Sequence, residues 1–368
     1  MAYLDPQPGR RRIALTKRPM SLYRTLLRPL LFRLSPDRSH ALAHAALRFG
    51  LPWQALAATQ RLEVNDPRLR TRFAGLDFPG PVGLAAGFDK NCDLLAALSA
   101  MGFGFLTVGS IMPEARFGNP FPRIVRYPET ESLGDSMGVP SKGRAYAVER
   151  LRRFTARKVP VIANIGGFSA EALAAGLLDV EPHVDAVEIS LMCPNVLAAG
   201  ETFDELRLLA DVLKRVEART KPVIVRVPND TTQSPERMAE LIERCVEARV
   251  DGLKIGGGRR IPEPGLGTGQ ATLHGRAIRE SALANVQTAA RIARGRISIK
   301  GNGGIRSAAD VLAMLRAGAC CVDLYSAFIY EGWTVARDIH LDLLQALGGD
   351  SVDSLSPALA AAGRSEHA

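Results

Sequence analysis

Short apolar runs alternate with amphipathic stretches along most of this chain, and this alternation limits the folds that are open to it. The runs lie at residues 82–87, 105–110, 160–165, 186–191, 222–227, 252–257, 296–301 and 321–326. Stretches with helical periodicity lie between most of them, at about 90–101, 143–157, 202–219, 234–248, 279–294, 306–316 and 332–346. Eight strand–helix units in this order predict an α/β protein built on a parallel (β/α)8 barrel, the TIM-barrel fold.

The strands of such a barrel present their carboxyl ends at one rim, and barrel enzymes have their active sites there. In this chain the apolar runs end in Gly, Ser, Asn, Cys, Arg and Lys, which are too polar for ordinary core. The longest interruption, residues 111–142, follows the second run and is rich in Gly and Pro. The sequence therefore predicts a functional site at that rim with a long insertion beside it.

Positive charge is concentrated at the N-terminus. The net charge is +9, and residues 1–40 hold nine basic and two acidic side chains. The rest of the chain is close to neutral, which argues against a basic groove for nucleic acid. A basic, leucine-rich segment is instead typical of a surface that meets an anionic membrane. No apolar run approaches the roughly 20 residues that a membrane-spanning helix needs.

The same N-terminal region has a helical pattern. Apolar residues from Tyr23 to Leu34 form one stripe, and Ser35-Pro36-Asp37 is a typical start for a second helix, which we expect to end near Gly50. Two interpretations stay open: a lid packed on its own domain, or a hairpin facing a membrane. The predicted organisation is a disordered basic extension at 1–19, a helical lid and linker at 20–75, the barrel at 76–350 and a C-terminal tail at 351–368.

Cysteine usage points to a reducing compartment. The five cysteines are odd in number and include no CxxC pair, so neither a disulfide framework nor a zinc site is predicted. The histidines also lack a ligand spacing, and we predict no metal. We expect a cytoplasmic protein that can contact the inner face of the cell membrane through residues 20–52.

Two glycine-containing motifs can bind a phosphate. "GNGGI" (301–305) follows the seventh run directly before a helix, and "DLYSAF" (323–328) ends the eighth. Backbone N–H groups in those two positions hold phosphate in many barrels, although tight turns need glycine in any case. "GLAAGFDKN" (83–91) places small residues at a strand end, where a flat ring can lie on the backbone, or where a helix simply packs closely.

These motifs together resemble a known family. "PVGLAAGFDKN", "GFGFLTVGS", "GNPFPRIVR", "ANIG", "CPN", "GNGGI" and "YSAFIYEG" occur in the order and spacing of the quinone-dependent (class 2) dihydroorotate dehydrogenases. The resemblance implies an FMN barrel with a two-helix lid that touches the membrane and a quinone acceptor. It implies FMN contacts from Ala85, Ala86, Gly87, Lys90, Ser110, Asn164, Arg226, Gly303, Gly304, Tyr325 and Ser326.

The substrate motifs depart from that family. "DSMGVPS" (135–141), "SLMCPN" (190–195) and "GGG" (256–258) stand where the family has Asn- and Thr-rich motifs. The implied substrate contacts are Lys90, Asp135, Ser190, Asn195, Gly257 and Gly258, and of the family's amide and hydroxyl groups only Asn195 remains. A pocket built on hydrogen bonds loses about 10⁴–10⁵-fold in selectivity when those bonds cannot form. Glycines at 257 and 258 would also enlarge the site.

Cys193 stands where class 2 enzymes usually have a serine base and class 1 enzymes a cysteine. A thiol titrates closer to neutrality than a hydroxyl, so the resemblance implies that Cys193 is the catalytic acid or base, rather than only a small residue that fills space. Lys254 and Lys300 occupy positions that are apolar in the family. They add positive charge to the pocket, suited to an acidic substrate, or Lys254 points outward and extends to solvent.

The resulting hypothesis is an FMN-dependent oxidoreductase. It would oxidise or reduce a carbon–carbon bond next to a carbonyl in a small cyclic, acidic substrate other than dihydroorotate, with a quinone or another acceptor. The first alternative is an authentic dihydroorotate dehydrogenase of pyrimidine biosynthesis. The second alternative is a non-catalytic barrel that binds flavin or phosphate.

Overall fold

The computed structural model describes residues 21–191, 204–228 and 234–355. At its centre eight parallel strands close into a barrel in which each strand pairs with its neighbour in the chain. The strands are Val82–Leu84, Leu106–Ile111, Val161–Gly166, Ala186–Ser190, Val223–Arg226, Gly252–Ile255, Ser298–Asn302 and Cys321–Leu324. The predicted (β/α)8 barrel is confirmed, with every strand inside or within one residue of its apolar run.

Side chains alternate across the barrel wall, as the two-residue period of a strand requires. Val187 and Ile189 point outward to the helices and belong to the main core, whereas Glu188 between them lies inside. The end of the barrel at the amino ends of the strands is apolar, with Ile162 and Ile224 beside the rings of an N-terminal hairpin. That hairpin, formed by the strands Thr71–Phe73 and Leu76–Phe78, closes this end and leaves the opposite rim for function.

Within the described ranges, eight helices surround the barrel: Leu95–Leu98, Arg144–Arg153, Ala170–Val180, Glu205–Arg215, Pro235–Glu247, Arg279–Ala293, Ala308–Arg316 and Val335–Leu347. Two short helices flank the last of these: Ser326–Glu331 precedes it, and Val352–Leu355 follows it within the predicted C-terminal tail. Ala170–Val180 had no counterpart among the predicted helices. The stretch 90–101 contains only one turn of helix, because residues 85–93 form the turns that shape the rim.

The lid contains three helical segments: Tyr23–Leu27 together with Arg28–Arg33, then Pro36–Leu47, and then Gly50–Gln60, which the sequence did not predict. The hydroxyl of Tyr23 donates to the carbonyl of Ile329 at 2.6 Å, and Arg28 donates to the carbonyl of Tyr330 at 3.1 Å. These contacts fix the lid on its own barrel. No helix in the described part of the chain is long and apolar enough to cross a bilayer.

A second sheet covers part of the active rim. Its four antiparallel strands lie in the order Arg259–Pro262, Gln270–Gly275, Ser132–Asp135 and Ile124–Tyr127. A two-stranded ribbon, Ala115–Arg116 with Ser141–Lys142, lies in the same insertion. The sheet joins the insertion after the second barrel strand to the segment after the sixth. It thereby brings Asp135 opposite Thr272, far apart in sequence but adjacent at the rim.

Candidate active site

A cavity of about 150 Å³, here called the polar cavity, opens at the carboxyl ends of the barrel strands. Nine residues predicted from the sequence line it: Ala85, Ala86, Gly87, Lys90, Ser110, Asp135, Ser190, Arg226 and Tyr325. The remaining lining residues are Met137, Val139, Pro140, Lys254, Thr272, His274 and Asn302. The structure thus brings together most of the residues implied for cofactor and substrate.

The first barrel strand leads into Ala85, Ala86 and Gly87, which form one wall of the polar cavity. Gly87 has a φ of +102°, a left-handed conformation that glycine adopts readily. The ammonium group of Lys90 folds back and donates a hydrogen bond to the carbonyl of Gly87. Burial lowers the pKa of Lys90 to about 8, although the negative charge of Asp135 opposes the shift.

Asn164 lies in the barrel interior with no exposed surface. Its amide nitrogen donates to an oxygen of Glu188 at 2.8 Å, which fixes the orientation of the amide group. Its carbonyl oxygen, Oδ1, is buried and has no hydrogen-bond partner. Buried polar atoms are nearly always paired, so this acceptor is suited to a donor on a bound group.

The predicted phosphate motif forms a turn in which both glycines have positive φ, +122° for Gly303 and +71° for Gly304. Gly304 and Ser326 line a narrow space together with Arg276, Arg306 and Glu131, whose carboxylate pairs with both guanidinium groups. The backbone N–H groups and the Ser326 hydroxyl suit an anion, which would compete with Glu131 for the two guanidinium groups. The two motifs predicted to act together therefore meet in the structure.

Gly257 and Gly258 do not line the polar cavity. A Cβ atom at Gly257 would lie 2.8 Å from the backbone of Ala282, in the helix Arg279–Ala293. The same helix limits Gly303, where a Cβ would lie 2.7 Å from the Cβ of Ala282. Glycine at 257 is therefore required for close helix packing, and it does not enlarge the site as the sequence suggested.

Asp135 and His274 meet at the polar cavity. His274 Nε2 lies 2.9 Å from Asp135 Oδ2, and the two side chains are 29% and 27% exposed. Burial raises the pKa of Asp135, but the hydrogen bond from His274 and the charge of Lys90 outweigh it and hold the pKa below its ordinary value. The sequence pointed to Asp135 but not to His274, which lies on the unpredicted second sheet.

Four charged side chains fill the middle of the barrel below the polar cavity. Lys300 Nζ lies 2.7 Å from Glu188, and Lys254 Nζ lies 2.9 Å from Asp323. The lysines therefore do not supply free charge, since two cations face two carboxylates. Lys254 lines the cavity and points inward, so of the two alternatives left open by the sequence the outward one is wrong.

The predicted base and one predicted substrate contact lie outside the described residues. These are Cys193 and Asn195, which follow the fourth barrel strand, Ala186–Ser190. Ser190 at the end of that strand lines the polar cavity, so the strand leads the chain to the cavity edge. The role of Cys193 stays a prediction.

A second cavity, here called the lid cavity, lies between the lid helices and the barrel and has a volume of about 350 Å³. Its walls are mainly apolar and include Leu27, Leu31 and Trp53 from the lid and Phe88 and Phe328 from the barrel. It also shares three lining residues with the polar cavity: Asp135, Met137 and Tyr325. The two cavities therefore adjoin at these side chains.

Polar groups in the lid cavity are few and desolvated. His40 lines the cavity and His44 does not, but their rings lie 4.2 Å apart, and burial holds the pKa of His40 well below its ordinary value and lowers that of His44 to about 4. Arg126 lies over the ring of Phe32 at 4.4 Å. Uncharged imidazoles beside aromatic rings suit an uncharged, flat, hydrophobic molecule that carries a few acceptors.

Comparison with known proteins identifies the family. The profile of the family described as dihydroorotate dehydrogenase matches residues 68–347. The chain belongs to the dihydroorotate dehydrogenase family. Dihydroorotate dehydrogenase (quinone) from Deinococcus deserti is 35% identical over 361 residues, which cover 92% of this chain and 99% of that protein. The enzyme of the same name from Thermus thermophilus is 33% identical and covers 88% of this chain and 97% of its own length.

Solved structures agree with the family. Ligand-free dihydroorotate dehydrogenase from Eimeria tenella superposes with a TM-score of 0.75 at 26% identity, covering 88% of this chain and 99% of that one. The same enzyme in complex with ferulenol gives a TM-score of 0.74 at 25% identity, covering 89% and 98%. The resemblance to class 2 enzymes is confirmed, and the family places the chain among oxidoreductases that act on carbon–carbon bonds.

Proposed function

We propose that this chain is an FMN-dependent dehydrogenase that oxidises a carbon–carbon bond next to a carbonyl in a dihydroorotate-type cyclic amide and delivers the electrons to a quinone. The observation that carries the proposal is the pair of adjoining cavities. One is polar and lies at the barrel rim, and the other is apolar and lies beneath the lid. Asp135, Met137 and Tyr325 border both, so two chemically different substrates can approach one cofactor from separate entrances.

The residues present fit FMN. Small residues at 85–87 leave room for a flat ring, and the unpaired Oδ1 of Asn164 can accept a hydrogen bond from a ring N–H. Gly303, Gly304 and Ser326 would hold the phosphate. When bound, FMN accepts a hydride from the substrate and returns two electrons to the acceptor. Arg226 lines the polar cavity, where its positive charge would favour the reduced, anionic form of the flavin.

Oxidation of the substrate removes a hydride from one carbon and a proton from its neighbour, and a carbon–carbon double bond forms between them. We propose Cys193 as the base that takes this proton, because it follows the strand whose end, Ser190, lines the polar cavity. A thiol has a solution pKa of about 8.5, so part of it is thiolate near neutral pH.

The lid cavity is the proposed quinone site. Its apolar walls match a hydrophobic quinone, which takes up two electrons and two protons to become a quinol. The outer face of the lid leaves Leu22, Leu26 and Leu30 more than half exposed. A helical segment with these exposed leucines and the exposed Arg33 is suited to the surface of an anionic membrane, which is where such a quinone dissolves.

Dihydroorotate is the substrate that the names of the relatives favour, since proteins 31–35% identical to this chain over most of its length are called dihydroorotate dehydrogenase (quinone). A different cyclic amide is the second candidate. It is favoured by the Asp135–His274 pair in the polar cavity and by the position of Gly257, which packs against a helix and offers no side chain to a substrate.

A growth test and a quinone-linked assay test this proposal. We expect the purified protein to retain FMN and to form orotate from dihydroorotate only when a quinone is present. The chain should also restore growth of a pyrimidine-requiring strain that lacks its own enzyme. Cys193→Ala should keep FMN but lose most of the rate. Failure to bind FMN would refute the proposal that the protein is a flavoenzyme. Bound FMN without orotate formation or growth would refute only the proposal that dihydroorotate is its substrate.

A further inference from the structure

The strand pairing of the second sheet places a carboxylate and an imidazole together over the polar cavity. Asp135 ends the strand Ser132–Asp135 and lies opposite Thr272 in the strand Gln270–Gly275. His274 is two residues further along that partner strand, a diagonal position from which long side chains reach one another. The two side chains are hydrogen-bonded at 2.9 Å, and each keeps more than a quarter of its surface open.

Two cations on the described lining of this cavity are already engaged: Arg226 by the reduced flavin proposed above, and Lys254 by carboxylates. Lys254 is held by Asp323 at 2.9 Å and lies 3.8 Å from Glu188, which also accepts from Lys300. These four groups together are neutral. A ligand anion gains little from a lysine whose charge is already balanced by a buried carboxylate.

Lys90 is the other lysine on the described wall of the cavity, and its charge interacts with that of Asp135. A ligand carboxylate beside Lys90 would therefore also face Asp135. Like charges within about 4–6 Å disfavour each other strongly at a partly buried site. An uncharged ligand meets no such repulsion, and its ring N–H can donate a hydrogen bond to Asp135 Oδ1, which already accepts a long one, 3.4 Å, from the backbone N–H of Met137.

We propose that the Asp135–His274 pair is a specificity determinant that lowers the affinity for a carboxylate substituent, so that an uncharged cyclic amide binds more tightly than dihydroorotate, which stays a substrate. The inference rests on the proposed dehydrogenase function and narrows its substrate class. It also reverses the expectation from the sequence that the substrate is acidic. The oxidised carbon–carbon bond stays the same, and only the group attached to the ring differs.

Two pairs of ligands differ only by that carboxylate: orotate and uracil, and dihydroorotate and 5,6-dihydrouracil. We would measure dissociation constants of orotate and uracil for the FMN-loaded protein by equilibrium dialysis. The wild-type protein should bind uracil at least as tightly as orotate. Asp135→Asn should lower the dissociation constant of orotate by about 10-fold or more and change that of uracil by less than about 3-fold. The reason is that removing one charge acts mainly on the charged ligand.

Two further variants separate charge from structural damage. His274→Gln leaves Asp135 without its imidazole partner and should weaken the binding of orotate further. A structural defect would instead weaken the binding of both ligands alike. Glu129→Gln removes an exposed carboxylate next to the same sheet, outside the cavity lining, and should leave both dissociation constants unchanged. Opposite shifts at positions 135 and 274 would establish the electrostatic role.

The outcomes separate this inference from the proposed function. Wild-type protein that binds orotate tenfold more tightly than uracil, or an Asp135→Asn variant with an unchanged ratio, would overturn the inference while leaving a dihydroorotate dehydrogenase intact. Flavin that neither dihydro compound reduces would overturn the proposed function, and the dialysis ratio would still decide the charge preference. Absence of measurable binding of both ligands would overturn both.

Discussion

Replacing Glu188 by glutamine should destabilise the barrel severely. Glu188 lies in the barrel interior with no exposed surface, 2.7 Å from Lys300 and 3.8 Å from Lys254. Together with Asp323, the wild-type cluster contains two cations and two anions. Glutamine leaves two cations with one anion in a region that water does not reach.

The expected loss is about 3–5 kcal/mol of the free energy of unfolding, the usual cost of leaving a buried charge without its partner. Single domains typically have about 5–15 kcal/mol in total, so Glu188→Gln should fold but unfold at much lower urea. Urea titration followed by far-ultraviolet circular dichroism at pH 7 measures the difference. A second change, Lys300→Met, removes the surplus cation and should restore about 1–3 kcal/mol.

The stability that this buried cluster contributes depends on pH in a defined direction. Burial acts to raise the pKa of Glu188, but the charges of Lys254 and Lys300 lower it from 4.5 to about 2. Its stabilising contribution is therefore complete above pH 4.5 and disappears as the pH falls towards 2. Burial acts to lower the pKa of Lys300, but Glu188 and Asp323 raise it to about 12, so its contribution is complete below pH 10.5 and is lost above.

The difference between wild type and Glu188→Gln should thus be constant between pH 5 and pH 10 and shrink outside this range. A loss below about 1 kcal/mol at pH 7 would refute the reasoning, because leaving a buried charge without its partner destabilises a protein by more than that. A double variant as unstable as the sum of the two single losses would also refute it, since the two charges would then not interact.

Three other changes test the two cavities and the lid. Ala43→Trp fills the lid cavity and should raise the KM for quinone at least tenfold without slowing flavin reduction by substrate, whereas Ala41→Trp, outside the lining, should change neither. Leu26→Gln with Leu30→Gln should weaken sedimentation with anionic vesicles at least tenfold, with the fold unchanged. Affinity for FMN should fall as the pH rises through about 8, where Lys90 loses its charge, and Lys90→Met should remove this dependence.

The barrel was predictable because its signal is local. Each strand is a short run of Val, Ile and Leu followed by an amphipathic helix, and packing on both sides of a parallel sheet demands that pattern. The helix Ala170–Val180 was missed because its sequence is almost continuously apolar and shows no polar face between Glu171 and Asp179. A helix buried on most sides has no polar face opposite its apolar one, so the sequence shows no helical periodicity.

The second sheet was missed for a different reason. Its strands have four to six residues, and the pairing joins Ser132–Asp135 to Gln270–Gly275 across more than a hundred residues. No local sequence pattern predicts a pairing between strands so far apart in the chain. The sequence alone therefore could not place His274 at the cavity. In contrast, the direction of Lys254 was open to prediction, since Leu253 and Ile255 beside it are outward-facing core and alternation sends Lys254 inward.

The most direct test of the account is the colour of the flavin under anaerobic conditions. The purified protein, loaded with FMN, would be mixed with dihydroorotate or 5,6-dihydrouracil and then with a quinone. At least one of the two compounds should bleach the yellow flavin, and quinone should then restore the colour. Flavin that stays yellow with both, or that bleaches but is not reoxidised by quinone, would contradict the account.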